Sequence, residues 1–300
     1  MLGGIGRLLL AAGVVAGTAA VHGQMPSAAR AAQGEIFVPR PDVARATALG
    51  FDAVVSDYYW LQAVQLVGST GHPAEHASLL GALMDVVTTL NPWVDHPYRF
   101  AAVWLIDSEP SIRQANRLLE RGIEHHPDEW RNRFYLGFNH FFYLGEQNEA
   151  AEVLEQALGL REAPNYLHRL VARLKAADGG LDVAESFLHG LLLDTEDPFL
   201  RQRYELALGE IAAERVARRL DEARERYRAK HGRDIETVED LVRGPGAVLD
   251  ELPPEPNGGR WIVEEWTKEI VSDLIHHRYE PKLDAVNRAK VEKIREGSGG

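Results

Sequence analysis

A proline recurs through the middle of the chain at a nearly fixed interval. Pro92, Pro127, Pro164 and Pro198 are separated by 35, 37 and 34 residues, and each follows a run with helical spacing of apolar residues. Small residues keep the same beat, with Ala115, Ala150 and Ala184 lying 35 and 34 apart and followed four positions later by Leu119, Leu154 and Leu188. The i, i+4 relation puts each pair on one helix face, which Gly122, Ala157 and Leu191 extend. Turn-forming clusters at residues 107–110, 144–147 and 178–180 stand where a helical hairpin must reverse. The period therefore predicts stacked helix pairs, none of which can bury its apolar stripe alone. Four units are expected, over residues 50–92, 93–127, 128–164 and 165–198, closed by a helix over 199–231. The charged stretch of that helix, ERVARRLDEARERYRAK, reads as a solvated or capping face.

This pattern resembles the tetratricopeptide repeat (TPR) family. The best unit carries Trp130, Leu136-Gly137, Gly145, Ala150, Leu154 and Ala157 at the family's large, Leu-Gly, Gly, Ala, aliphatic and Ala positions. Its run from Leu136 to Gly145 is one residue longer than the consensus, which leaves two registers open for the first helix: Asn139 and Phe142, or Phe138 and Phe141, facing the groove. In the first unit Leu80 stands where the family has a small residue. The phrases LGFDAVVSDYYWLQAVQ, FYLGFNHFFYLG and LPPEPNGGRW are also similar to a group of exported bacterial repeat proteins, mostly without an assigned function; that likeness covers residues 45–265. The resemblance implies an all-α, TPR-like helical-hairpin solenoid spanning 44–198. It implies an activity much less, because such repeats serve many unrelated assemblies.

The ends read differently. Residues 1–23 hold one positive charge, Arg7, followed by an uncharged run from Leu8 to Val21, the shape of an export signal. That run is short for a bilayer span of roughly 20 residues, so a cleaved signal and a retained anchor both stay open, with a buried helix as a third reading. Residues 24–43 read as a flexible tether. From 232 to 278 the composition changes: a short helix is expected over Ile235–Val242, a strand over Arg260–Glu265 after the Asn257-Gly258-Gly259 turn, and a partner strand at Glu269-Ile270-Val271. This small α/β element resembles pilin-like segments of secretion and pilus proteins. Residues 279–300 are expected to form a helix and a flexible tail.

Composition bounds the chemistry. A net charge of −12 argues against nucleic-acid partners, since phosphate neutralisation needs a basic footprint. The absence of cysteine removes disulfides, thiolate ligands and thiol nucleophiles. His72 and His76 have i, i+4 spacing, but Pro73 puts His72 at or before the helix start and no third ligand follows, so no metal is expected. No phosphate loop, nucleophile elbow or distinctive carboxylate pair is present, and neither catalytic residues nor cofactors are expected. His140, inside the aromatic knot FYLGFNHFFYLG, reads as a packed or hydrogen-bonded side chain.

Aromatic residues crowd the first helices of the units, and most are expected to be core. In the TPR family the first helix lines the concave groove, which implies Tyr59, Trp104, Asn139, Arg169 and Arg173 as groove residues. Flat rings suit a bound peptide or helix. Arg169 and Arg173, one turn apart, are placed either to clamp a carboxylate or to pair with neighbouring acids on a solvated face. The expected protein is a non-enzymatic interaction scaffold of the bacterial cell envelope, exported, and periplasmic or anchored to the inner membrane through its N-terminal segment. A fixed subunit of a membrane complex (pilus, secretion or respiratory machine) is the alternative, and an envelope carbohydrate enzyme or its partner the third.

Overall fold

The computed structural model describes residues 37–70, 76–244, 246–279 and 285–296, and the predicted export segment, most of the predicted tether and His72 lie outside them. Every element belongs to one compact unit, Arg40–Gly300. The described chain is predominantly helical, and its helices are α1 (Pro41–Thr47), α2 (Asp52–Thr70), α3 (Ala77–Leu90), α4 (His96–Trp104), α5 (Glu109–His125), α6 (Trp130–Phe138), α7 (Gln147–Glu155), α8 (Tyr166–Gly179), α9 (Leu181–Asp194), α10 (Pro198–His231) and α11 (Ala285–Glu296). A π-helical segment, Asn139–Leu144, continues α6. No described helix is long and apolar enough to cross a membrane.

Local chemistry sets the helix ends. Ser108 accepts a hydrogen bond from the Ser111 amide at the start of α5, where Pro110 occupies the first turn and has no amide to orphan. Asp197 does the same for Phe199 at 2.8 Å, and Pro198 opens α10. So the last proline of the series begins a helix, whereas Pro92, Pro127 and Pro164 fall in the connections. The 34-residue α10 stops at Gly232, whose φ of 66° favours glycine, with Arg228, Lys230 and His231 in its last turn beside the negative helix end.

From α2 to α10 each helix packs on the next in chain order, counting α6 and its π segment as one; α3 also touches α5, and α4 touches α6. The small residues of the beat make this possible. Ala115, Ala150 and Ala184 are completely buried, and Leu119, Leu154 and Leu188 nearly so. A Cβ on Gly137 would lie 2.5 Å from Leu154 Cγ, so the α6–α7 contact closes only around glycine. Leu80, the departure in the first unit, is also buried.

The long run before Gly145 is accommodated inside the helix. The π turn takes up the additional residue, and Gly145, at φ 73°, ends it while the Glu146 amide bonds back to the His140 carbonyl at 2.8 Å. Neither expected register results. Phe138 and Phe142 share a face, stacked at 4.9 Å, whereas Phe141 packs on the α7–α8 core. Asn139 points inward and donates to Asn116 Oδ1 at 2.8 Å.

The C-terminal element is smaller than its sequence predicts. A single 3₁₀ turn, Val238–Leu241, replaces the expected helix, and a capping box of Thr237 and Asp240 closes its start. Two strands, β1 (Trp261–Val263) and β2 (Ile270–Ser272), pair antiparallel with Trp261 opposite Ser272. β1 ends early because Glu264 accepts from the Trp266 and Thr267 amides and turns the chain. Its floor is α10: Val216, Ala217, Leu220, Ala223 and Tyr227 pack against Ile235, Leu241, Trp261 and Ile270. The charged half of α10 is therefore not simply solvated, and Glu214 and Arg224 are buried in it.

Replacing Ala150 by Trp overfills the α7–α8 contact at Leu167 and Val171. A loss of about 1–3 kcal/mol or more is expected, measured by thermal or denaturant unfolding. An unchanged transition would contradict the packing described.

Candidate functional site

Between α8 and α10 lies a cleft of about 120 Å³, with Leu188 of α9 contributing to its lining. Tyr166, His168 and Arg169 of α8 face Arg203, Tyr204 and Glu210 of α10 across it. Aromatic rings supply apolar area, and two guanidinium groups with one carboxylate supply direction. Tyr166 and Arg203 stay largely exposed at the rim. His168 bonds through Nδ1 to the Asn165 carbonyl and meets the Tyr204 ring at 5.5 Å; burial lowers its pKa, which keeps the imidazole neutral.

Arg169 lines this cleft and Arg173 does not, and both are taken by internal partners. Arg169 Nη2 lies 3.0 Å from Glu210 Oε1 and 3.0 Å from His277 Nε2. Arg173 donates to the backbone carbonyls of Arg278, at 3.0 Å, and of Tyr279, and its cation sits over the Tyr279 ring. Burial lowers the Arg173 pKa, and neighbouring Arg169 adds to the effect. The pair therefore does not form a two-pronged clamp: Arg169 takes an internal acid, and Arg173 holds main chain.

Residues 277–279 are thus laid across α8 and α10, and a buried ion pair fixes them. Arg278 Nε and Nη2 donate to Glu214 at 2.8 and 2.9 Å, its Nη1 reaches Asp221 at 2.6 Å, and the Tyr279 amide donates to Glu214 Oε2 at 3.1 Å. Burial alone would push the Glu214 carboxyl up, but the Arg278 guanidinium and the Tyr279 amide hold it below its ordinary value. Tyr279 is buried among Ala172, Ala176, Ala207 and Ile211, and desolvation raises its hydroxyl pKa.

The other predicted groove residues lie elsewhere. Trp104 ends a row with Phe100 and Trp60, at 6.1 and 4.9 Å between successive rings. Tyr59 packs edge-on to Tyr58 at 5.2 Å. Neither lines the cleft. Asn139, only 1% exposed, cannot line an accessible groove, because the π turn rotates it toward α5. His140 bonds to Glu146 Oε2 at 2.6 Å, and Glu146 in turn takes Arg113 at 2.7 Å. Sequence reasoning missed Glu210, Glu214, Arg278 and Tyr279. The run of alternating charge gave no sign of which acids are buried, but Arg278-Tyr279 beside a paired histidine was a visible cation–aromatic signal.

Comparison with family models, curated proteins and solved structures finds no match to this chain.

Two outcomes follow from the ion pair. Arg278→Ala leaves buried Glu214 with only its 3.1 Å ion pair to Arg218, and a loss of about 3 kcal/mol or less is expected, read as faster hydrogen exchange at residues 276–279 and lower unfolding stability. Because the folded Glu214 pKa is depressed, its contribution is complete above its ordinary value of 4.5 and is lost as pH falls through the lower folded value. Protection of the Tyr279 amide should fall with acid in that window, and Glu214→Gln should remove the dependence.

Proposed function

We propose that this chain is a non-enzymatic protein-interaction scaffold of the cell envelope, built as a TPR-like stack of helical hairpins. The serial packing of helices supports the stack, as does the burial of Ala115, Ala150 and Ala184 at one point of successive units. The cleft between α8 and α10 carries the interaction reading. Its rim leaves a tyrosine and an arginine exposed over a half-apolar floor, the residue types that anchor protein partners. The partner is an exported or membrane-associated protein that presents a peptide or helix. Delivery to the envelope, by a cleaved signal or a retained anchor, falls to the N-terminal segment.

One observation favours the fixed-subunit alternative. Phe51, just before α2, and Val54, Tyr58 and Leu61 on it are all more than half exposed and follow one another at steps of three, four and three residues, which lines them along one face. A permanent neighbour in a membrane complex would cover such a stripe.

Affinity capture with the full chain, followed by mass spectrometry, separates the readings. If the cleft recruits, Tyr166→Ala/Arg203→Ala lowers affinity for the captured protein at least tenfold, about 1.4 kcal/mol, with thermal unfolding unchanged. If the α2 stripe recruits, Val54→Asp/Leu61→Asp does so and the cleft variant does not. Substrate turnover abolished by one carboxylate substitution would overturn both.

A further inference from the structure

The outer face of α2 carries a heptad. Its inner face is committed: Ser56, Ala63 and Leu66 are buried, and the Ser56 hydroxyl donates to the Val87 carbonyl of α3 at 3.1 Å. That contact fixes the rotation of the helix, and with it the side chains turned to solvent. Phe51, whose carbonyl accepts the Val55 amide at the helix start, is 67% exposed, and Val54, Tyr58 and Leu61 are 64%, 57% and 56% exposed. With Phe51 at position a, Val54 falls at d, Tyr58 at a and Leu61 at d, and Gln65 and Gly68, the next a and d, are exposed too. Alternate steps of three and four are the spacing of a seam between two helices, narrower than the stripe with which a helix covers a core.

Charge and area both point to a second copy of this helix as the occupant. A helix lying on a bilayer carries lysine and arginine on its polar face, and α2 has neither. The charge bordering the seam is Asp57, at position g, and Gln62 stands at e. In a parallel pair, g of one helix faces the following e of its partner, so Asp57 meets Gln62, whose amide can donate to it. In an antiparallel pair g faces g, and the two Asp57 carboxylates would repel. Repulsion between two copies of net charge −12 is screened beyond about 8 Å at physiological ionic strength. Phe51, Val54, Tyr58 and Leu61, with Val64 at 40% exposed beside them, leave on the order of 500 Å² in water on each copy. Pairing two copies therefore removes about 1,000 Å², the size a specific interface has to reach.

We propose that this chain forms a parallel, two-fold symmetric dimer in which the Phe51–Val54–Tyr58–Leu61 seam of α2 packs on the same seam of a second copy. The interface is isologous, each side chain facing its own counterpart across the axis. It is independent of the cleft between α8 and α10, whose lining shares no residue with the seam. A dimer carries two such clefts, so a bivalent partner would bind it more tightly than either cleft alone.

Sedimentation of the full chain tests the pairing. At micromolar concentration the native chain should run at twice the chain mass. Val54→Asp/Leu61→Asp should weaken association at least a hundredfold with circular dichroism and thermal unfolding unchanged, since both side chains lie in solvent. A monomer at every concentration would overturn the proposal, and so would a dimer that the double variant leaves intact. The absence of cysteine allows a second test that does not depend on a disrupted variant. Val54→Cys alone and Leu61→Cys alone should each give a covalent dimer on mild oxidation, because equal positions of a parallel seam lie within the roughly 7 Å Cα separation that a disulfide spans. Cross-linking only when the two variants are mixed would mean an antiparallel pair and sink the parallel one. Binding to phosphatidylglycerol–phosphatidylcholine vesicles, or a foreign protein held at fixed stoichiometry in place of the second copy, would give the seam another occupant if Val54→Asp/Leu61→Asp abolished it, and would likewise overturn the proposal.

Discussion

A helical hairpin has more apolar face than its two helices can cover between them, and the remainder of this molecule answers that constraint. From α2 to α10 each helix is covered by the next in chain order, and buried alanines and Gly137 allow the close approach. The series still has two ends. At one end α2 leaves a row of large apolar side chains in solvent. At the other, α10 is long enough to cover α9 with its first half and to receive a small β-hairpin on its second.

Charge fixes the C-terminal element where apolar area is limited. Arg224 reaches both oxygens of Asp234 and also the Lys268 carbonyl, joining the start of the element to its hairpin. Arg278 performs the corresponding task with Glu214 and Asp221 at the far end. Pairs whose arginine is buried in this way contribute little net stability compared with apolar packing, but a buried guanidinium left unpaired penalises other arrangements. They act as register pins for a segment whose own strands are three residues long.

The helical class was legible because periodicity is a local property: small residues and turns recurring near 35 positions left few alternatives, and the hairpin reversals fall where the turn clusters stand. Both strands were visible from β-branched and aromatic runs after Asn257-Gly258-Gly259, although side-chain capping by Glu264 shortened the first. The site was much less legible. Arg169 and Arg173 were singled out by spacing, yet Arg169 is taken by Glu210 and His277 and Arg173 by the carbonyls of Arg278 and Tyr279, and no local pattern announces such distant contacts. Asn139 failed for a different reason. One inserted residue turns a side chain by roughly a quarter of a helical turn or more, enough to carry it from an outward face into an amide pair with Asn116.

The π turn also bears on how such a chain tolerates change. An inserted residue is usually expelled into a loop, where it alters nothing nearby. Here the widened turn stays within the helix, and beyond Gly145 Ala150 and Leu154 are as deeply buried as Ala115, Leu119, Ala184 and Leu188. The widened turn is confined to six residues, and with Phe138 it presents a cluster of stacked and edge-on rings. A series of packed helices can thus carry one chemically distinct patch without disturbing the burial of the helices beyond it.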